Sequence, residues 1–217
     1  PRSYDVNYDD LEEIDKWLIS KYNKLVSVVT EAYDKYDLNE VVKLITTFTS
    51  DDLSNWYIRR NRNRFWSSSL DDSKKAVYKT TYEVLVGLCK LCAPIIPFTT
   101  EEIYKNLTNE ESVHLTDFPI CNKELINLDI EEKMDLVRDL ISIGRNVREE
   151  TKIKVRQPLN NILLDGKNET IIGDLTDLIK EEYKSERSSF GMQLTSGVPF
   201  FLIQTKTVKQ RDWIFTF

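Results

Sequence analysis

Apolar residues recur every three or four positions along most of residues 11–150, the spacing that places them on one face of an α-helix. The predicted helices run from Leu11 to Tyr36, from Asn39 to Phe65, from Ala76 to Cys92, from Thr99 to Leu107 and from Ile130 to Glu150. Pro94 and Pro97 close the third helix, because proline restricts the residue before it and lacks an amide proton. We expect these helices to pack as an antiparallel bundle.

The pattern changes after Thr151. Residues 152–166 alternate apolar and polar side chains, include Pro158 and end in an Asp-Gly turn signal, which is typical of extended strands. One more helix is predicted from Ile171 to Lys184, and the β-branched and aromatic residues of 197–217 favour a hairpin or a short sheet. The predicted fold is therefore mainly α: an antiparallel helical bundle over residues 1–151 with a small α/β appendage over residues 152–217.

The second predicted helix ends in a cluster of arginine and aromatic residues, DLSNWYIRRNRNRFW at 52–66. The helix has an apolar stripe of Val41, Leu44, Ile45 and Phe48. At 3.6 residues per turn, the same face continues through Asp52, Asn55, Arg59, Arg62 and Trp66. Trp56, Arg60 and Arg64 recur on a neighbouring face. This geometry predicts that Arg59 and Arg62 are partly buried and paired with acids, whereas Arg60 and Arg64 are exposed.

Such an arginine cluster has two interpretations. The planar guanidinium binds phosphate oxygens and stacks on bases, which suits RNA, but it also pairs with acids of neighbouring helices or domains. A second basic group lies near the end of the last bundle helix, where cations also complement the helix dipole. In the RNA interpretation, the candidate binding residues are Trp56, Arg59, Arg60, Arg62, Arg64, Trp66, Arg145, Arg148, Lys152, Lys154 and Arg156.

Composition restricts the partners of this chain. Its 217 residues carry a formal net charge of -6, which disfavours indiscriminate binding to nucleic acid but is compatible with a local basic patch. No apolar run approaches the roughly 20 residues that cross a bilayer, so no membrane partner is expected. The 3 cysteines, an odd number, fit free thiols in a reducing compartment better than a disulfide framework. We therefore expect a cytoplasmic protein.

Candidates for metal binding and catalysis are few. Cys89 and Cys92 lie one turn apart in an apolar helix, and Cys121 and His114 could complete a zinc site in principle. We expect buried free thiols instead, since small thiols commonly pack in cores. The sequence contains 1 histidine and no glycine-rich phosphate-binding motif. It therefore predicts no catalytic residue, no metal ligand and no cofactor within this chain.

Several segments carry a family resemblance: EEIDKWLISKYNKL at 12–25, DDLSNWYIRRNRNRFW at 51–66, APIIPFTTEEIY at 93–104, SVHLTDFP at 112–119 and KIKVRQPL at 152–159. In this order they resemble the C-terminal, anticodon-binding region of the isoleucyl-tRNA synthetases of eukaryotes and some bacteria. The third segment is shared by related synthetases, whereas the combination points to the isoleucine enzyme. The resemblance implies a helical domain that binds the tRNA for isoleucine. The resemblance spans about residues 9–165, and the segment from Gly191 to Phe217 does not resemble the family.

The resemblance also implies what this chain lacks. The catalytic core of such an enzyme carries a His-x-Gly-His type motif and a Lys-Met-Ser-Lys-Ser type loop that hold ATP, and neither motif occurs here. ATP and magnesium would be bound by that core, so this chain alone is expected to be inactive. Its partners would include the catalytic and editing domains of the same polypeptide. Two alternatives stay open: the corresponding domain of a valyl-tRNA synthetase, and a helical scaffold between domains without direct RNA contact.

Overall fold

A computed structural model describes residues 4, 6–152, 154, 161–165, 172–183, 187–191, 207–210 and 213–216. The chain forms two compact units, Pro1–Glu131 and Glu132–Phe217. The boundary between the two units lies inside the last bundle helix and not at residue 151. Most of that helix therefore belongs to the second unit. The predicted domains, 1–151 and 152–217, therefore do not coincide with the compact units, and a functional division between them stays a prediction.

The first unit is helical, as the apolar spacing predicts. Its elements are α1 (Glu13–Asp34), α2 (Leu38–Thr47), a π-helix (Phe48–Ile58), α3 (Arg62–Trp66), α4 (Asp72–Cys92) and α5 (Pro97–Thr108), and α6 (Leu128–Glu150) begins at its end. Short 3₁₀ turns lie at Tyr8–Asp10, Val113–Leu115 and Lys123–Leu125. The predicted helical bundle is thus confirmed, with helix ends that differ by a few residues, but the helix predicted from Asn39 to Phe65 is divided into α2, the π-helix and α3.

Two helix starts differ from the sequence prediction. Asp37, not Asn39, caps α2, since its carboxylate accepts the Glu40 amide at 3.0 Å. Helix α5 begins at Pro97, before the predicted start at Thr99. Proline fits the first helical turn, because the amide proton that it lacks would have no partner within the helix there.

The core of the first unit forms around α1, whose Trp17, Leu18 and Val29 are fully buried. A polar connection joins α1 to the start of α6. The hydroxyl of Ser20 donates to the Glu131 carboxylate at 2.7 Å, and Lys24 pairs with the same carboxylate at 3.0 Å. Buried acids are tolerated only when they are hydrogen-bonded and paired, so these contacts fix the start of α6 within this unit.

Gly87 of α4 allows the ring of Tyr22 from α1 to approach closely. A Cβ atom at this position would lie 1.9 Å from the Tyr22 Oη and 2.4 Å from its Cζ. Overpacking of this kind costs about 1–3 kcal/mol, whereas alanine gains about 1 kcal/mol over glycine in helix propensity. We therefore expect Gly87→Ala to lower the free energy of unfolding by about 1 kcal/mol, as measured by chemical denaturation.

A Tyr22→Ala background supplies the control for this prediction. Without the ring, the added methyl group meets no obstacle, and Gly87→Ala should then stabilise the protein through helix propensity alone. The substitution is thus expected to change sign between the two backgrounds. Destabilisation by the same amount in both would contradict the close approach of Tyr22.

The second unit contains most of α6, together with α7 (Thr176–Tyr183) and the strands β1 (Asn161–Asp165), β2 (Arg187–Gly191), β3 (Thr207–Gln210) and β4 (Trp213–Thr216). Within the described residues the strands form a 4-stranded sheet in the order β2-β1-β4-β3. Strand β1 pairs in parallel with β2, with Leu163 opposite Ser189, and in antiparallel fashion with β4. Strands β3 and β4 also pair antiparallel. The mixed α/β character predicted for this part of the chain is confirmed, and within 197–217, where a hairpin or a short sheet is predicted, the described strands β3 and β4 are part of the sheet.

The connections in this unit follow from the strand directions. A parallel pair needs a crossover, and α7 lies between β1 and β2 in the chain. Pro158 falls outside the described residues. No helix in the described part of the chain is long and apolar enough to span a bilayer.

Candidate nucleic-acid interface

The backbone of the arginine cluster departs from α-helical geometry. Residues Phe48–Ile58 form a π-helix, and at its end the amide of Arg59 donates to the carbonyl of Ser54, five residues earlier. Each turn of this kind contains roughly one residue more than an α-helical turn. The apolar face of α2 therefore does not continue along the positions that a period of 3.6 residues predicts.

Burial follows the altered period. Beyond Phe48, the buried residues are Leu53, Trp56, Tyr57, Arg60 and Asn61, and Arg64 is half-buried. Arg59, Arg62 and Trp66 are exposed instead. The prediction that Arg59 and Arg62 are partly buried and that Arg60 and Arg64 are exposed is therefore wrong. The π-helix is the physical reason, because it rotates the following turns about the helix axis.

Arg64 is held by the buried carboxylate of Asp15 on α1. Its Nη1 and Nη2 donate to Asp15 Oδ1 and Oδ2 at 2.9 and 2.8 Å, which makes the ion pair bidentate. Its Nε donates to the Ser73 hydroxyl at 2.8 Å. The Tyr57 hydroxyl donates to Asp15 Oδ1 at 2.6 Å, and Asp15 has no exposed surface. We call Asp15, Tyr57, Arg64 and Ser73 the arginine anchor; it joins α1, the π-helix, α3 and α4.

The anchor changes the acidity of its members. Burial lowers the pKa of Arg64, but the hydrogen bonds and negative charge of Asp15, with a further contribution from Glu12, outweigh burial and raise this pKa above its ordinary value. Burial, together with the neighbouring Asp15 carboxylate, holds the pKa of Tyr57 well above its ordinary value. Arg64 thus stays charged and Tyr57 stays a hydrogen-bond donor at neutral pH.

Arg60 is also part of the interior. Its side chain is 8% exposed, and its guanidinium lies 4.6 Å from the centre of the buried Trp56 ring. This is a cation–π contact inside the first unit. Arg60 and Arg64 therefore stabilise the fold. Their side chains are less exposed than those of Arg59 and Arg62.

The exposed members of the cluster are Arg59, Arg62 and Trp66, which we call the exposed arginine face. Arg62 and Trp66 are in contact, since the guanidinium lies 5.5 Å from the ring centre, yet Trp66 keeps 76% of its surface exposed. Arg59 precedes Arg62 by three residues, so the two side chains project from consecutive turns. The arrangement places one cation, Arg62, against a large open aromatic ring and a second exposed arginine three residues earlier, which suits phosphate and base contacts.

The second basic group is divided in the same way. Arg145 pairs with Glu182 of α7, and Arg148 is 2% exposed and donates to the Lys154 carbonyl at 2.8 Å. Lys152 and Lys154 are exposed. Arg156 lies outside the described residues. The two arginines thus have structural contacts within the second unit, and the assignment of this group to RNA stays a prediction.

The cysteines and the histidine lie elsewhere in the first unit. Cys89 is buried in a small cluster with Tyr104 and Val113, and burial raises its thiol pKa to about 11. His114 is exposed, and its backbone amide donates to the Ser112 hydroxyl. Among the described residues, no group of His, Cys, Asp or Glu side chains is arranged to hold a metal ion.

Sequence reasoning missed the acid that organises the cluster. Asp15 lies in sequence between Leu11 and Leu18 on the apolar face of α1, spaced four and three residues from them. A carboxylate in such a position needs a buried cationic or hydrogen-bonding partner. This signal predicts that one arginine is structural, although it does not identify Arg64. Ser73 carried no comparable signal.

A comparison with known families decides what kind of domain this is. The profile of the family described as anticodon-binding domain of tRNA ligase matches residues 15–163. This chain belongs to that family of anticodon-binding domains. The matched range includes the whole arginine anchor and the exposed arginine face, so both lie within the family's own architecture.

Three curated proteins that this anticodon-binding domain matches carry the same name. Isoleucine-tRNA ligase of Clostridium novyi (strain NT) is 40% identical over 193 residues, which cover 86% of this chain and 18% of that protein. The enzyme of the same name from Chlamydia abortus is 39% identical over 201 residues, 88% of this chain and 19% of that protein. That of Chlamydia trachomatis serovar D is 42% identical over 178 residues, 80% of this chain and 17% of that protein. The resemblance expected from the sequence segments is confirmed, and the chain spans less than a fifth of these relatives.

Proposed function

We propose that this anticodon-binding domain is part of an isoleucine-tRNA ligase and binds the tRNA for isoleucine through the exposed arginine face. The observation that carries the proposal is the difference in burial among the arginines of one cluster. Arg60 is buried and Arg64 is half-buried, whereas Arg59 and Arg62 are exposed, and Arg62 lies against the open Trp66 ring.

The physical basis of binding is the polyanionic character of tRNA. Arg59 and Arg62 would contact phosphate oxygens and release bound counterions, so affinity should fall as salt rises. The net charge of -6 repels RNA elsewhere on the surface, which restricts binding to this basic face. Phosphate contacts set the position of the RNA, and contacts to unpaired bases would supply the choice among tRNAs.

The rest of the reaction would take place outside this chain. A catalytic core in the same polypeptide would bind ATP and magnesium and attach isoleucine, and an editing domain would remove wrongly attached amino acids. The role of the anticodon-binding domain would be to hold the tRNA in position for that core. Free thiols such as Cys89 fit a cytoplasmic location for the complete enzyme.

A binding comparison at two salt concentrations tests this proposal. We expect the chain to bind an isoleucine tRNA transcript more tightly than a valine tRNA transcript, at both 50 and 200 mM salt. Two or three phosphate contacts predict that affinity falls by roughly tenfold or more between these concentrations. Equal affinity for the two tRNAs would contradict the assignment to isoleucine, and binding to neither would contradict a tRNA-binding role for the chain.

A further inference from the structure

Residues 112–122, which we call the strap, lie between α5 and α6 and expose three large apolar side chains. Leu115, Phe118 and Ile120 keep 72%, 39% and 89% of their surface exposed. Single exposed apolar residues are common on protein surfaces, whereas a group of them within such a short segment is typical of an interaction site.

The strap is held at both ends by the helices next to it. At its start, the Glu101 carboxylate of α5 accepts from the Ser112 hydroxyl and the Val113 amide, both at 2.9 Å. At its end, the Asn122 amide donates to Asn23 Oδ1 of α1 at 2.9 Å. A segment whose backbone is already fixed loses little conformational entropy when it binds a partner. The exposed apolar side chains are therefore preorganised.

Phe118 lines two grooves on this surface. Its ring packs edge-on against Tyr33 of α1, with the ring centres 5.9 Å apart and an interplanar angle of 85°. A groove of about 430 Å³ also has Gly87 and Ile120 among its lining residues, and a groove of about 200 Å³ has Pro94. Fixed apolar side chains beside open grooves suit the insertion of apolar side chains from another polypeptide, as at the centre of a protein interface.

The charges at the larger groove indicate the chemistry of the partner. Glu83, Lys90 and Asp117 line it, and Glu83 pairs with Lys79 at 3.2 Å. This balance of charge does not attract a polyanion, unlike the exposed arginine face. A polypeptide fits instead, because it supplies apolar side chains for the grooves and charges of both signs for the rim.

The size of the surface indicates where the partner comes from. The strap has fewer residues than the roughly 20–30 that each protein contributes to a standard interface, so binding of a separate protein would be weak. Weak binding is sufficient within one polypeptide, where the effective concentration of a tethered domain is on the order of 1 mM. The chain spans less than a fifth of its curated relatives, so a ligase of their length has other domains to supply the partner.

We propose that the strap docks an apolar segment of another domain of the same ligase polypeptide, with Phe118 and Ile120 at the centre of the contact. The inference rests on the proposed membership of an isoleucine-tRNA ligase, but not on RNA binding by the exposed arginine face. At an effective concentration on the order of 1 mM, a contact with a dissociation constant of about 0.1 mM is formed about nine-tenths of the time.

Hydrogen exchange of the strap, followed by mass spectrometry, tests this contact. We expect the strap peptide to exchange about tenfold more slowly in the full-length ligase than in the 217-residue chain, because docking leaves it open about a tenth of the time. In the full-length ligase, Ile120→Asp should restore the rate of the 217-residue chain. Val42→Asp, at an exposed position of α2 outside both grooves, should keep the slow rate. Thermal melting verifies that both variants fold.

Several results would overturn the docking contact. These are equal exchange of the strap in the two proteins, and slow exchange that persists in full-length Ile120→Asp. Protection that appears in the 217-residue chain and grows with its concentration would assign the surface to a second copy, and protection by added isoleucine tRNA would assign it to RNA. Failure of the 217-residue chain to bind isoleucine tRNA would contradict the proposed function alone, since the exchange comparison is made without RNA.

Discussion

Replacing Arg64 with alanine is expected to lower the free energy of unfolding by about 3–5 kcal/mol. The substitution removes the two-pronged contact to Asp15, whose carboxylate has no exposed surface. Among the described residues, the Tyr57 hydroxyl and the Glu12 backbone amide would then remain as donors to this acid. An uncompensated buried charge is among the most destabilising single changes. Urea denaturation followed by tryptophan fluorescence measures the loss, since Trp17 and Trp56 report on this unit.

A paired substitution distinguishes the buried charge from lost packing. In Asp15→Leu/Arg64→Met, both charges are replaced by apolar side chains of similar length, so no isolated charge remains. This double variant should lose less stability than Arg64→Ala, although Tyr57 loses its acceptor. Arg62→Ala, at an exposed position, should change stability by less than about 0.5 kcal/mol. Arg64→Ala behaving like Arg62→Ala would show that the anchor contributes little.

The second large effect concerns RNA. We expect Arg59→Ala/Arg62→Ala to weaken binding of isoleucine tRNA by about tenfold at 50 mM salt, because two phosphate-directed cations are removed. Thermal stability should change little, since both side chains are exposed. A nitrocellulose filter assay with labelled transcript measures the dissociation constant. Substitutions in the exposed arginine face are thus expected to weaken RNA binding while the fold is retained. Substitutions in the arginine anchor are expected to destabilise the fold instead.

The helical part of the fold was predictable because its apolar periodicity is strong. Long stretches such as α1 and α4 repeat apolar residues at helical spacing over many turns, and local chemistry marks their ends only approximately. Asp37 and Asn39 are both good caps, and nothing in their immediate sequence decides between them. The compact units could not be predicted, because the division at Glu131 falls inside an uninterrupted helix.

The candidate site was predictable in composition but not in orientation. The cluster of arginines and aromatics is visible in the sequence, whereas the π-helix over Phe48–Ile58 has no recognised local signal. Extrapolating an α-helical period through that segment assigned all four arginines of residues 59–64 to the wrong environments. The chemistry expected of arginine was not the source of this error. Whether each guanidinium is buried or exposed depends on the helix face on which it lies. The carboxylate of Asp15 was the available clue that part of the cluster is internal.

The most direct test of the account is the salt dependence of tRNA binding by two variants of equal net charge. Arg59→Ala/Arg62→Ala alters the exposed arginine face, and Lys35→Ala/Lys43→Ala removes two exposed cations near the α1–α2 connection. Lys35 lies roughly 30 Å along α1 from Asp15, at 1.5 Å per residue, so the control leaves the face intact. We predict that the arginine variant loses about one to two units of the slope of log affinity against log salt, whereas the lysine variant keeps the parent slope. Equal slopes for the two variants would contradict binding through the exposed arginine face.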